Sequence, residues 1–301
     1  MPAHNAPSPV LVLVPGIVGD PDGGGEALRV VDERDAQLCV TDLGVTRGEG
    51  VFETIGVFDG RAVTMQAHRR RLQRSADMIE LLRACDTDQL DLGLLEQAVQ
   101  RAVQEHDDVP ELTVRIIVTA GDEADTRPFA WVHARAVDDW TQARRGLRVV
   151  TLDRGLPSTV TATSPWLLAG AKTISYAVNM AAGREAVRRG ADDVLFTTSD
   201  GYCLEGPTST LLVRRGNEFV TTPPDAGVLP GTSVASLFAD RTAAGARCRE
   251  ALLTPQEVLE ADGAWLLSSV RLAAPITHLD GTELPVDRAL TDHFNEVLRG
   301  R

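Results

Sequence analysis

One side chain in this sequence stands apart by type. Of the 30 residues that are lysine or arginine, only Lys172 is a lysine. Arginine keeps its charge at any ordinary pH and presents a rigid planar fork, whereas a lysine amine can lose its proton and attack a carbonyl. A chain that uses arginine wherever positive charge suffices, yet keeps lysine once, points to a nucleophilic amine at 172. A surface lysine that merely survived would give the same count, so the neighbourhood has to decide. Lys172 follows Ala169-Gly170-Ala171 and precedes Thr173-Ile174-Ser175-Tyr176. The small residues leave room beside the amine for a flat ring, and the helical pattern that follows gives it a fixed base.

Three other clusters could serve such a ring. Glu205 lies in Cys203-Leu204-Glu205-Gly206-Pro207-Thr208-Ser209-Thr210, where Gly-Pro makes a turn that sets the aim of the acid. A carboxylate held this way suits a pyridine nitrogen, whose proton turns the ring into an electron sink. An ordinary turn glutamate is the other reading. Leu229-Pro230-Gly231-Thr232-Ser233 precedes a helical stretch. Backbone amides at a helix N-terminus, with the hydroxyls of Thr232 and Ser233, form a phosphate site; a simple Ser/Thr N-cap is the alternative. His68-Arg69-Arg70-Arg71-Leu72 opens a third helical stretch. Residues three apart share a helix face, so His68 and Arg71 point together, and an arginine there suits bidentate phosphate binding. A solvated basic face accounts for the other two arginines.

In this order and spacing the clusters resemble the class IV aminotransferases, the fold-type IV enzymes that use pyridoxal 5'-phosphate (PLP). The family includes branched-chain and D-amino acid aminotransferases and aminodeoxychorismate lyase. The likeness runs from Asp42 to Ile276. It takes in Gly48-Glu49-Gly50-Val51-Phe52-Glu53, the His-x-x-Arg-Leu of His68 to Leu72, the lysine segment, Glu205-Gly206, Leu229-Pro230-Gly231-Thr232 and Ser268-Ser269. It implies an α+β fold of two domains with the active site between them, and a homodimer. It implies Lys172 as the Schiff-base lysine and Glu205 as the acid at the pyridine nitrogen. Arg71, Thr232, Ser233 and Ser269 match the phosphate cradle. Tyr176 lies near a tyrosine that some members aim at the phenolic oxygen, one residue closer to the lysine than in branched-chain enzymes. Arg127 stands in a loop where some members place an arginine for the substrate carboxylate, and Arg271 could serve in the same way; a surface arginine and a structural arginine are the alternative readings.

The lysine and glutamate segments look most like actinobacterial proteins called aminodeoxychorismate lyase. Such an enzyme expels pyruvate from 4-amino-4-deoxychorismate and leaves 4-aminobenzoate for folate synthesis. Branched-chain enzymes place Gly-Gly-Asn-Tyr after the lysine and Ala-Gly after Glu-Gly, and this sequence has neither. A PLP-dependent aminotransferase of D-amino acid or branched-chain type remains the alternative. A PLP-binding protein without catalysis is a third reading, from another class.

The elements that must position these residues come from a chain of 301 residues, 43% hydrophobic and 24% charged, long enough for two domains with full cores. A net charge of −13 argues against nucleic acid and anionic membrane as partners. No apolar run approaches a membrane span. Cys39, Cys85, Cys203 and Cys248 are scattered without a CxxC pair, which argues against a metal site and fits a reducing, cytoplasmic compartment. Residues 1–27 are rich in Pro, Gly and Asp and read as a mobile extension, with Val10 to Val14 a tail or an early strand. Strands are expected at Val51–Phe58, Leu112–Thr119, Ala130–Ala134, Leu147–Leu152, Asp193–Thr197, Thr210–Val213, Glu218–Thr221 and Ala264–Leu267. Helices are expected at Ala67–Leu82, Asp91–Glu105, Ile174–Arg189, from Gly231 to Ala243, and at Asp287–Leu298. Pro157 and Pro165 make Gly155–Gly170 a linker candidate. The domains expected are a smaller one over 28–158 and a larger one over 159–301 that carries the lysine.

Overall fold

A computed structural model describes residues 7–18, 28–124 and 127–300. The chain divides into two compact units, one of residues 1–138 with 171–175 and one of 139–170 with 176–301. Each mixes helices with a sheet, which is the expected α+β class.

The first unit contains β1 (Val10–Val14), β2 (Arg29–Val31), α1 (Leu43–Thr46), β3 (Gly50–Phe58), β4 (Arg61–Ala62), α2 (Met65–Met78), α3 (Leu92–Glu105), β5 (Glu111–Thr119) and β6 (Phe129–Ala136). Its strands form one sheet in the order β2-β1-β6-β5-β3-β4, antiparallel throughout. Alternation sets the faces: Val51, Ile55 and Val57 of β3 and Val114, Ile116 and Val118 of β5 all turn inward. α3 closes part of that face with Leu95, Ala98, Val99 and Ala102, a stripe at helical spacing. Its N-terminus is capped by Asp91, whose side chain accepts from the Leu94 N–H at 2.8 Å. α2 packs on β3. It ends at Met78, short of the expected Leu82, because Glu80 turns the chain with a positive φ of 51°.

Of the two readings of Val10–Val14, the strand holds: it is buried along its length and lies between β2 and β6. Residues 1–6 and 19–27 of the expected extension fall outside the described residues.

The second unit contains α4 (Thr141–Arg145), β7 (Leu147–Asp153), α5 (Val160–Thr163), α6 (Ala177–Arg188), β8 (Asp193–Thr197), β9 (Thr210–Arg215), β10 (Glu218–Thr221), α7 (Thr232–Ala243), β11 (Arg247–Glu250), α8 (Pro255–Leu259), β12 (Gly263–Ser268), β13 (Leu272–Leu279), β14 (Thr282–Glu283) and α9 (Arg288–Leu298). Its sheet runs β11-β10-β9-β12-β13-β7-β8, with β14 added to β13. Pairing is mixed: β7 is parallel to both β13 and β8, while β9, β12 and β13 alternate in direction. α9 seals it with Phe294, whose ring meets fully buried Trp265 edge-on at 5.2 Å.

The division falls at residue 138 and not near 158, because β7 pairs inside the second sheet and carries its flanking chain with it. Gly155–Gly170 holds α5 and a 3-10 turn at Pro165–Leu167, so it is structured. The lysine segment also departs from expectation. Residues 171–175 group with the first unit, and α6 starts three residues later than the periodicity suggested. The reason is edge pairing. β4 covers only Val57 and Phe58 of β3. At the other end of β3 the Phe52 N–H donates to the Lys172 carbonyl at 3.1 Å, and the Ile174 N–H donates to the Gly50 carbonyl at 3.0 Å. An open strand edge is a template for extended chain, and residues 172–174 take it. The expected stop of α6 holds: Gly190 turns with φ 72°.

Candidate active site

Lys172 is fastened through its backbone. Besides the bond to Phe52, its N–H donates to the Ser75 hydroxyl on α2 at 3.1 Å. Its Nζ lies 4.2 Å from the centre of the Phe52 ring. A close approach at Gly48 helps hold the segment. Gly48 has φ 72°, and a Cβ there would fall 2.5 Å from the Ser175 hydroxyl oxygen. That hydroxyl donates to the Gly48 carbonyl at 3.1 Å.

Arg71 and His68 share the buried face of α2, as their spacing requires. Arg69 pairs with Glu96, and Arg70 is exposed, in keeping with a solvated face. Both expected partners turn to one residue to which the sequence reading gave no role. Arg71 Nε and Nη2 donate to the two carboxylate oxygens of Glu53 at 2.7 Å each, and His68 Nδ1 lies 2.7 Å from Glu53 Oε2. Burial alone would push the Glu53 carboxyl up, but the Arg71 fork more than offsets it and holds the pKa at about 2. Burial, with the Arg71 and Lys172 charges nearby, lowers the His68 pKa against the pull of Glu53. A neutral imidazole facing a carboxylate must donate from Nδ1. The signal was present in the sequence: Glu53 stands in the alternating row Val51, Glu53, Ile55, Val57, a charge among core positions. Arg127 is exposed in the loop between β5 and β6, and its carbonyl lies against Gly121.

In the second unit, Glu205 Oε1 accepts from the Leu229 N–H at 3.2 Å. The Tyr176 hydroxyl donates to the Pro207 carbonyl at 2.9 Å, and Asn179 Nδ2 donates to the same oxygen at 2.6 Å. These bonds tie the start of α6 to the Glu-Gly-Pro turn. Arg154 was not anticipated from the sequence. Its guanidinium stacks 4.6 Å from the centre of the Phe196 ring, and its Nη1 donates to Asn179 Oδ1 at 3.2 Å. Burial lowers its pKa, and the charge of Glu205 opposes that shift.

Thr232 and Ser233 are buried in the first turn of α7. They are inside the helix, not at its cap; the cap is Gly231, which supplies no side-chain cap bond. The Ser269 hydroxyl lies 3.5 Å from the Thr232 hydroxyl. A Cβ on Gly231 would fall 2.5 Å from Thr210 Oγ1, so only glycine lets the chain enter the helix here. A helix N-terminus without a side-chain cap, beside three hydroxyls, has the donor chemistry an oxyanion needs, and a cofactor phosphate fits it. Arg271, by contrast, is committed internally: its Nη1 donates to Asp193 Oδ2 at 2.6 Å, and both residues are buried.

The chain belongs to the class IV amino-transferase family, whose model matches residues 50–279, and is a PLP-dependent enzyme of that class. Among its relatives is a bifunctional aminodeoxychorismate lyase / D-amino acid transaminase of Mycobacterium tuberculosis, 42% identical over 259 residues that cover 82% of this chain and 88% of that one. A fold IV-transaminase from Curtobacterium pusillum superposes with a TM-score of 0.89 at 43% identity, covering 97% of this chain and 99% of the other. A protein described as a hypothetical aminotransferase from Mycobacterium tuberculosis, in its PLP-bound form, superposes with a TM-score of 0.85 at 37% identity, covering 97% of each chain.

Proposed function

We propose that the enzyme converts 4-amino-4-deoxychorismate to 4-aminobenzoate and pyruvate. The observation that carries this is the mycobacterial relative, which is named for that lyase activity. The same name also favours a second reading, transamination of D-amino acids.

When bound, PLP supplies an electron sink for the pair left by a broken C–H bond. The roles proposed for the chain's own residues follow from their settings. Lys172 Nζ would hold the cofactor covalently and would be the base that takes the proton from the substrate carbon. Glu205 keeps a proton on the pyridine nitrogen. The α7 N-terminus, Thr232, Ser233 and Ser269 would bind the phosphate; Arg71, whose Nε and Nη2 are taken by Glu53, would add only its charge. Tyr176 orients the ring from its anchor on Pro207. Arg127 is kept for a substrate carboxylate; Arg271 is not, because Asp193 already holds it. A homodimer in the cytoplasm completes the proposal. Exposed Trp166 and Leu167, and Val178, Met180 and Val187 of α6, support a partner surface.

The deciding experiment supplies aminodeoxychorismate with no keto acid present. Repeated turnover to 4-aminobenzoate and pyruvate supports the lyase. If instead D-amino acids convert the cofactor to its amine form and no 4-aminobenzoate appears, the enzyme is a transaminase. Borohydride is expected to add cofactor mass at Lys172. Lys172→Ala and Lys172→Arg are both expected to lose all turnover, and activity in the arginine variant would remove the lysine from its role.

A further inference from the structure

The loop that carries Ser269 is shaped from outside itself. β12 and β13 form a hairpin in which Ser268 pairs with Leu272, so Ser269, Val270 and Arg271 make a three-residue loop. Such loops commonly close with a left-handed residue, where glycine is favoured. Here that residue is Leu272, with φ 68° and fully buried. A leucine in that conformation is strained and persists only where its surroundings over-determine it.

Two arginines do so. Arg144, half-buried in the last turn of α4, donates from Nε to the Arg271 carbonyl and from Nη2 to the Val270 carbonyl, each at 3.1 Å. One planar fork thus spans two successive peptide carbonyls. Peptide planarity makes this directional: a carbonyl drawn to one side turns the following N–H to the other. Arg271 anchors the same loop through its 2.6 Å pair with Asp193 at the start of β8. Its Nε and Nη2 are buried and have no hydrogen-bond partner among the described residues, so this cation depends on Asp193.

Resting on the reading of α7 and Ser269 as a phosphate site, we propose that Arg144 is a positioning residue for that site. It sets the Ser269–Arg271 loop against the α7 N-terminus without touching the phosphate, and the Arg271–Asp193 pair braces the loop behind it.

The test titrates full-length protein, stripped of cofactor, with PLP and separately with pyridoxal, which has the same ring and aldehyde but no phosphate. The readout is the ratio of the two affinities, taken from tryptophan fluorescence and the visible band. Arg144→Lys keeps the charge, but one ammonium cannot span two carbonyls as a fork does. It is expected to weaken PLP about tenfold, the scale of one charge-assisted hydrogen bond, and to leave pyridoxal unchanged. Arg144→Met is expected to do the same. An unchanged ratio in Arg144→Lys, or equal losses for both ligands, overturns the proposal, and the lysine variant decides alone if Arg144→Met does not fold. Ser269→Ala and Thr232→Ala separate the two claims. If neither lowers the ratio, the phosphate reading itself fails; if they lower it and Arg144→Lys does not, only the positioning role fails.

Discussion

Two regions of the molecule offer donors to an anion, and they are built on opposite principles. In the first unit the donor is a full charge, Arg71, and an internal carboxylate already answers it. Glu53, Arg71 and His68 form a buried cluster in which the Arg71 fork lies on Glu53. In the second unit the donors are neutral: the first turn of α7 and the hydroxyls of Thr232, Ser233 and Ser269, with no side-chain cap on the helix. A buried charge must be balanced by the fold before any ligand arrives, whereas helix amides and hydroxyls can be left facing a ligand at small cost. The first region is therefore expected to govern stability, and the second to govern affinity for the phosphate.

The largest test of that contrast is Glu53→Ala, which leaves the Arg71 charge buried without its partner. Removing one member of a buried pair costs about 3–5 kcal/mol, to be read from urea unfolding. Replacing both residues, as Glu53→Met with Arg71→Met, is expected to recover most of that loss; if the single change is harmless, the cluster is not what stabilises the unit. Next is Gly231→Ala, whose new methyl would meet Thr210 Oγ1 at 2.5 Å. Overpacking of this kind costs about 1–3 kcal/mol, and PLP affinity is expected to fall with it. Ser269→Ala is smaller and separates the regions most sharply: PLP binding weaker by about tenfold, with the unfolding midpoint nearly unmoved.

The contrast also predicts a dependence on pH in the buried cluster of the first region. His68 titrates below its ordinary 6.5 when folded, first because burial disfavours its charge. Protons therefore bind the unfolded chain first, and the stability that neutral His68 contributes is present above pH 6.5 and fades as pH falls below it. Glu53, held at about 2 against an ordinary 4.5, adds loss of the same sign at lower pH, from 4.5 toward 2. Unfolding curves of His68→Gln are expected to lack the first part of this slope, and an unchanged slope would assign it to another group.

Much of the candidate site is legible because it is written in local pattern. The sole lysine, the Glu-Gly-Pro turn and the Gly-Thr-Ser before a helix each suggest a chemistry within a few residues. The i to i+3 spacing of His68 and Arg71 correctly put both on one face of α2. Glu53 was passed over although its row shows the anomaly, because its partners lie 15 and 18 residues away and nothing local names them. Arg144 and Arg154 gave no signal at all, since each acts on a segment distant in the chain.

From its residues alone the chain determined the family, the cofactor and most strand and helix positions, since each depends on residue type and short-range period. Tertiary structure decided which sheet each segment joins. β1 became an interior strand, β7 moved the boundary to residue 138, and the lysine segment was drawn onto the open edge of β3. Pairing of distant strands is settled by which edges remain unfilled, and no stretch of sequence records what another stretch has left open.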